Sequence, residues 1–301
     1  MPIKVDWIDR NITVDSFRLY RSTTPIPDSP LPEPLATIPA GTFTYTDLTT
    51  VRNKTYYYRV GTVVGAEETL SSNAALAHMP YTGPGPQKLL RGDWASGYFG
   101  QVSMTDLFTP AEIMSLANTA MGAVTNNITW HKFVYQGKIL FYPHMCLSAG
   151  FSYQHLYSKG LLYGLTPSSE WPPYIKTTFG TIPQGVTINR GNDYFVVRTP
   201  QQRQSLLSVE TTGFAFYNGE YDNCLALAWQ GRSLPATIPQ LPQGALDDQV
   251  HETTYYSMCA DLQANGVTAL VKTNPVDTVS TIGVTSTHPT FGWRPVLELI
   301  F

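Results

Sequence analysis

The stretch Pro80-Tyr81-Thr82-Gly83-Pro84-Gly85-Pro86-Gln87 constrains this chain more than any other, because three prolines and two glycines in eight residues forbid a helix or a central strand. It divides the 301 residues into a segment 1–80, a linker 81–88 and a segment 89–301. Each long segment can bury a core of its own.

The first segment reads as short strands. Ser16-Phe17-Arg18-Leu19-Tyr20-Arg21-Ser22 and Thr55-Tyr56-Tyr57-Tyr58-Arg59-Val60 alternate apolar and polar side chains, the period of a half-buried sheet face. Between them, residues 25–34 hold five prolines, which confines that stretch to the surface. Phe43-Thr44-Tyr45-Thr46-Asp47-Leu48 predicts a further strand entering a corner, and residues 68–73 lead to the last one. "FRLYRST" followed by "FTYTDLTTVRNKTYYYRVGTVVGAEETLSSN" resembles a fibronectin type III module. Tyr45, Asp47, Asn53, Tyr56, Tyr58 and Val60 fall on that family's corner-and-strand pattern, which gives Tyr56 and Tyr58 a structural role.

The second segment mixes elements. Thr109-Pro110-Ala111-Glu112 has a Thr cap, Pro at the first helical position and Glu three residues after the cap, so a helix starts there. Residues 129–135 and 139–143 around Gln136-Gly137-Lys138 predict a hairpin. Residues 151–160 predict a short helix ended by Gly160, and 186–188, 193–198 and Leu225-Ala226-Leu227-Ala228 predict strands. Gly292-Trp293-Arg294-Pro295-Val296-Leu297-Glu298 reads as one buried final strand, in which Arg294 needs a carboxylate or several carbonyls as partners.

"WHKFVYQGKILFYP", "FSYQHLYSKGLLYG", "YFVVRTP" and the closing "FGWRPVLEL" resemble a set of bacteriophage virion structural proteins. The ending is also similar to that of sulfatase-modifying-factor domains, which have a C-type-lectin-like fold. The expected class is mainly β with an α+β second domain: an Ig-like or fibronectin III-like β-sandwich, then a C-type-lectin-like mixed domain. Gly292, Trp293, Arg294 and Pro295 are its expected structural residues.

Composition narrows the chemistry. Charged residues are 14%, well below the roughly one quarter usual for soluble domains, and the net charge of -3 comes without any run of Lys or Arg. A nucleic-acid partner is therefore not expected. Nor is membrane insertion, since no stretch approaches about 20 apolar residues and the start lacks an apolar leader; synthesis in a bacterial cytoplasm is the expectation. Cys146, Cys224 and Cys259 form no CxxC pair and read as buried free thiols, so the paired-cysteine activity of the modifying factors is not carried over.

His78, His131, His144, His155, His251 and His288 show no metal-ligand spacing, so no metal and no cofactor is expected. Asp247, Asp248 and Glu252, with Glu210, Glu220 and Asp222, offer carboxylates for a hydrolase or for calcium, but a solvated loop is the reading preferred for them. Arg91-Gly92-Asp93 is a short adhesion-type match of low specificity, and Gly137-Lys138 lacks the rest of a phosphate loop. Eighteen Tyr and six Trp suit subunit interfaces or a carbohydrate-stacking face. The expected function is thus non-catalytic: a structural component of a phage virion, in the tail, baseplate, collar or capsid decoration. It would dock on other virion proteins as a homo-oligomer, and the alternative is an adhesin recognising a host surface glycan.

Overall fold

The computed structural model describes residues 2–9, 13–117, 127–201, 219–228, 256–262, 267–272, 279–289 and 291–301. The chain is mainly β, with several antiparallel sheets, and separates into two units. Met1–Thr82 with Asp93–Ala95 make the first; Gly83–Gly92 with Ser96–Phe301 make the second. From Gly83 onward, the stretch read as a linker is folded into the second unit.

The first unit contains β1 (Ile3–Asp6), β2 (Ser16–Ser22), β3 (Ala36–Pro39), β4 (Thr44–Asp47), β5 (Lys54–Val64), β6 (Glu67–Leu70) and β7 (Ala74–His78). β1 and β4 pair as one ribbon, and β3-β2-β5-β6 form a second sheet in which β7 also pairs with β5. The alternating apolar side chains of both sheets meet in one core of Ile3, Val5, Phe17, Leu19, Ile38, Tyr56, Tyr58 and Val60. The proline-rich connection is mostly exposed, and its one fully buried residue is Ile26, which Asn73 grips at both its N–H and its carbonyl while Arg59 donates to the Ile26 carbonyl and to Asp28.

The second unit contains β8 (Arg91–Gly92), β9 (Ser96–Ser103), α1 (Pro110–Ala117), β10 (Thr129–Tyr135), β11 (Lys138–Pro143), β12 (Ser148–Ala149), α2 (Tyr153–Ser158) and α3 (Pro173–Phe179). It continues through β13 (Thr187–Arg190), β14 (Asp193–Arg198), α4 (Glu220–Ala228), β15 (Tyr256–Leu262), β16 (Thr268–Lys272), β17 (Val279–Gly283), β18 (Phe291–Trp293) and β19 (Val296–Ile300). Seven strands run in the order β13-β14-β19-β11-β10-β9-β8, and five in the order β12-β18-β15-β16-β17.

Local chemistry explains several elements. At α1, the Thr109 N–H donates to Glu112 Oε2 and the Glu112 N–H donates to Thr109 Oγ1, a reciprocal cap. The β10–β11 hairpin turns through Gln136 and Gly137, both with positive φ (48° and 80°), the twist a two-residue turn needs.

Two further expectations are corrected. Leu225–Ala228, expected as a strand, is helical: Tyr221, Cys224 and Leu225 recur at helical spacing and bury against Tyr98, Phe133 and Tyr142 of the large sheet. A four-residue apolar run fits either period, and the residues before it decide. The final motif is not one strand. β18 belongs to the five-stranded sheet and β19 to the seven-stranded one, and the chain changes sheets at Arg294-Pro295, where Pro has no N–H to donate to a ladder.

Candidate functional site

Among the described residues, the densest meeting of charged side chains lies on one face of the large sheet, beneath α4. Antiparallel pairing sets Val196 opposite Glu298 and Arg198 opposite Val296, so Arg198 and Glu298 point to the same face from neighbouring strands. Arg198 is 2% exposed. Its Nε donates to Glu298 Oε2 at 2.9 Å, and its two terminal nitrogens donate to the two oxygens of Glu220, from the first turn of α4, at 2.9 and 2.5 Å. The Tyr142 hydroxyl donates to the same Glu220 carboxylate at 2.6 Å, and Lys138 Nζ donates to Glu298 at 3.2 Å.

Burial alone would lower the Arg198 pKa, but the two carboxylates more than reverse this and hold it above its ordinary value. Burial likewise pushes Glu298 up, and Arg198 followed by Lys138 bring it below the usual carboxylate range. Tyr142 and the Cys224 thiol are pushed well up, first by burial and then by the Glu220 charge. A thiol so placed stays protonated and is a poor nucleophile.

The four structural residues expected at the C-terminal motif gather beside this network. Arg294 is fully buried; its Nε donates to the Pro143 carbonyl at 2.8 Å, Nη2 to the His144 carbonyl at 2.6 Å and Nη1 to the Tyr221 hydroxyl at 3.4 Å. Trp293 is buried, its indole N–H 3.3 Å from Thr199 Oγ1 and its ring edge-on to Phe151. A Cβ at Gly292 would stand 2.7 Å from Cys146 Sγ, so only glycine allows this approach. Pro295 is buried at the change of sheet.

Tyr56 and Tyr58 lie in the first unit. The Tyr56 hydroxyl accepts from the Val51 N–H at 2.9 Å, and the Tyr58 hydroxyl donates to Asp47 at 2.8 Å. Asp47 also receives Arg21, the Thr49 hydroxyl and the Thr49 N–H. Burial pushes Asp47 up, but these donors outweigh it and hold the carboxyl below its ordinary value.

The remaining candidates do not converge. Cys146, Cys224 and Cys259 are buried, and none is in a disulfide with a described residue. His131 is fully buried, and burial, with help from Arg294 and His144, pulls its imidazole down to about 3. Its Nδ1 lies 2.9 Å from the Tyr98 hydroxyl, while Nε2 has no hydrogen-bond partner among the described residues. His144 Nδ1 accepts from the Thr129 N–H. Among the described residues no three His, Cys, Asp or Glu side chains are grouped to hold a metal. Glu210, Asp247, Asp248, His251 and Glu252 lie outside the described residues; Glu220 is the partner of Arg198, and Asp222 is buried.

Sequence reasoning missed Arg198, Glu298, Lys132 and Tyr142. A signal existed: "YFVVRTP", "VLELI" and "TWHKFVY" each set a charge inside a strand whose other residues are apolar on both faces, and such a charge must be paired within the fold. No protein-family model, curated protein or solved structure matches the chain.

Proposed function

We propose that this protein is a non-catalytic structural component of a phage virion, a fibronectin III-like sandwich followed by a lectin-like mixed domain, acting by docking onto other virion proteins. The observation carrying this reading is the use to which the second unit puts its charges. Arg198, Glu220 and Glu298 come from three segments and are joined in one ion cluster, and Arg294 of the closing GWRPVLEL motif is buried beside it on the Pro143 and His144 carbonyls and the Tyr221 hydroxyl. Such a cluster holds a fold to one geometry, which suits a part that must fit its neighbours. The strand order β3-β2-β5-β6 opposite β1-β4, with the Tyr56 hydroxyl returning to the backbone at Val51, supports the sandwich module. The low charge and high Tyr content support large lasting interfaces.

The test is the mass of the purified full chain by light scattering together with electron cryo-microscopy of the particle. A closed oligomer, or density for the chain at a fixed site on a virion, is the expected result; a monomer absent from every particle overturns the reading. One observation favours the adhesin alternative: Tyr194 is 56% exposed, and the partly exposed Tyr174 and Phe179 stand edge to face at 6.5 Å, flat surfaces on which a sugar could stack. Saturable binding of the full chain on a glycan array, lost in Tyr174→Ala or Tyr194→Ala, would establish that alternative.

A further inference from the structure

The seven-stranded sheet ends at β13, and that end is open. The Val197 N–H donates to the Val186 carbonyl at 2.8 Å, and the register continues with Ile188 opposite Phe195 and Arg190 opposite Asp193. Bonded and non-bonded pairs alternate in an antiparallel ladder, so Ile188 and Arg190 turn their backbone groups toward β14. Thr187 and Asn189 turn theirs the other way, out of the edge of the sheet. Both residues are exposed, and among the described residues none bonds to their outward N–H and carbonyl groups. The Asn189 side chain is engaged with the turn, its Nδ2 donating to the Gly191 carbonyl at 3.2 Å.

Several other sheet ends are blunted in the ways by which proteins discourage edge pairing. β8 and β12 have two residues each, β3 closes on Pro39, and β6 opens on Glu67-Glu68. β13 has four residues, no proline and a single charge at its end, Arg190. That charge is spent inside the unit: Arg190 Nη2 donates to the two Glu112 oxygens at 2.8 and 2.9 Å, and the guanidinium lies 4.7 Å from the centre of the Phe108 ring. Two copies of this strand laid side by side therefore bring no pair of unpaired cations together. The edge also matches itself. When a second β13 lies antiparallel across a twofold axis at Ile188, Thr187 of each copy faces Asn189 of the other, and every outward N–H finds a carbonyl. The same register sets Ile188, half-buried as it stands, against its own counterpart.

We propose that β13 is a docking edge for a second copy of this chain, through which two copies join their seven-stranded sheets into one continuous sheet. A contact this short falls well below the roughly 1,200–2,000 Å² that stable complexes bury, so it is weak alone and gains strength where the chain is already held in several copies. The inference deepens the virion reading and rests on its repeated docking.

The experiment is amide hydrogen exchange of the full chain by NMR, from dilute solution to the highest concentration at which it stays dissolved, with light scattering at the same concentrations. The Thr187 and Asn189 amides exchange fast in dilute solution and about tenfold more slowly once about nine chains in ten are paired. The amide at position 188, bonded to β14 in either state, stays slow and reports that the hairpin is folded. Two variants abolish the slowing: Thr187→Pro removes an outward N–H where an edge strand tolerates proline, and Ile188→Lys sets two cations against each other at the axis. Thr187 and Asn189 amides that exchange equally fast at every concentration overturn the proposal, whether the mass is that of a monomer or of an oligomer built through another face. In the second case the virion reading stands. Slowing without a matching rise in mass, or slowing that survives in both variants, overturns the proposal as well. Slowing with a rise in mass, in a protein absent from every particle, supports the edge and sinks the virion reading.

Discussion

The two units hold their charges differently. In the first unit the arginines of the cross-strand pairs stay in contact with water: Arg18 meets Glu68 with 44% of its side chain exposed, and Arg21 reaches the buried Asp47 from a side chain that is 25% exposed. In the second unit, Arg198 and Glu220 meet at 2% and 6% exposure. A rim pair exchanges water for protein at little net gain, whereas a buried pair is an internal clamp whose partners cannot be parted without leaving a bare charge in the core. The first unit is held by its apolar faces and by the donors gathered on Asp47. The second unit is held by apolar faces and by the correct meeting of distant ions.

The comparison breaks most visibly at Arg198. Arg198→Met leaves the Glu220 carboxylate buried without its guanidinium and should cost the second unit about 3–5 kcal/mol, read as a lower urea midpoint for that unit with the first unchanged. The double variant Arg198→Met with Glu220→Met should recover part of this loss, because no charge is then stranded. A neutral single variant would falsify the clamp. Next is Gly292→Ala, whose methyl must displace Cys146 and should cost about 1–3 kcal/mol in the same unit.

In the first unit, Asp47→Asn keeps the shape but weakens the bonds to Arg21 and Tyr58, for about 1–3 kcal/mol by thermal unfolding. Asp47 is held below its ordinary value, so its contribution is complete above the unfolded carboxyl pKa of about 4 and is lost as pH falls through the lower, folded value. Acid unfolding of the first unit should therefore begin below about pH 4 and become shallower in Asp47→Asn. The smallest effect is expected from Arg18→Ala: Arg18 is exposed and screened by water, and Glu68 keeps the Tyr20 hydroxyl as a donor, so the urea midpoint should stay where it was.

What could be read in advance divides along the same line. The cap at Thr109 and Glu112, the hairpin through Gln136-Gly137 and the short helix before Gly160 are local bargains among neighbours, visible in a few consecutive residues. The need of Arg294 for carbonyls could also be read, since any buried guanidinium has it; that Pro143 and His144 supply them could not. The Arg198–Glu220–Glu298 cluster joins positions up to 100 residues apart, and nothing beside Arg198 names its partners. Likewise, Pro and Gly at 80–87 show that regular structure is absent there. They do not show that the carbonyls of Gly83, Pro84 and Pro86 are bound by a lysine 46 to 49 residues downstream.

The position of β19 has a consequence for how the chain is made. It lies between β14 and β11 inside the seven-stranded sheet, yet it follows every other strand of that sheet in the order of synthesis. Until residues 296–300 leave the ribosome, β14 and β11 each present an unpaired edge, and Arg198 has no Glu298 to meet. A nascent chain, or one broken off before Val296, thus carries a slot the width of a single strand, open to a strand from another molecule.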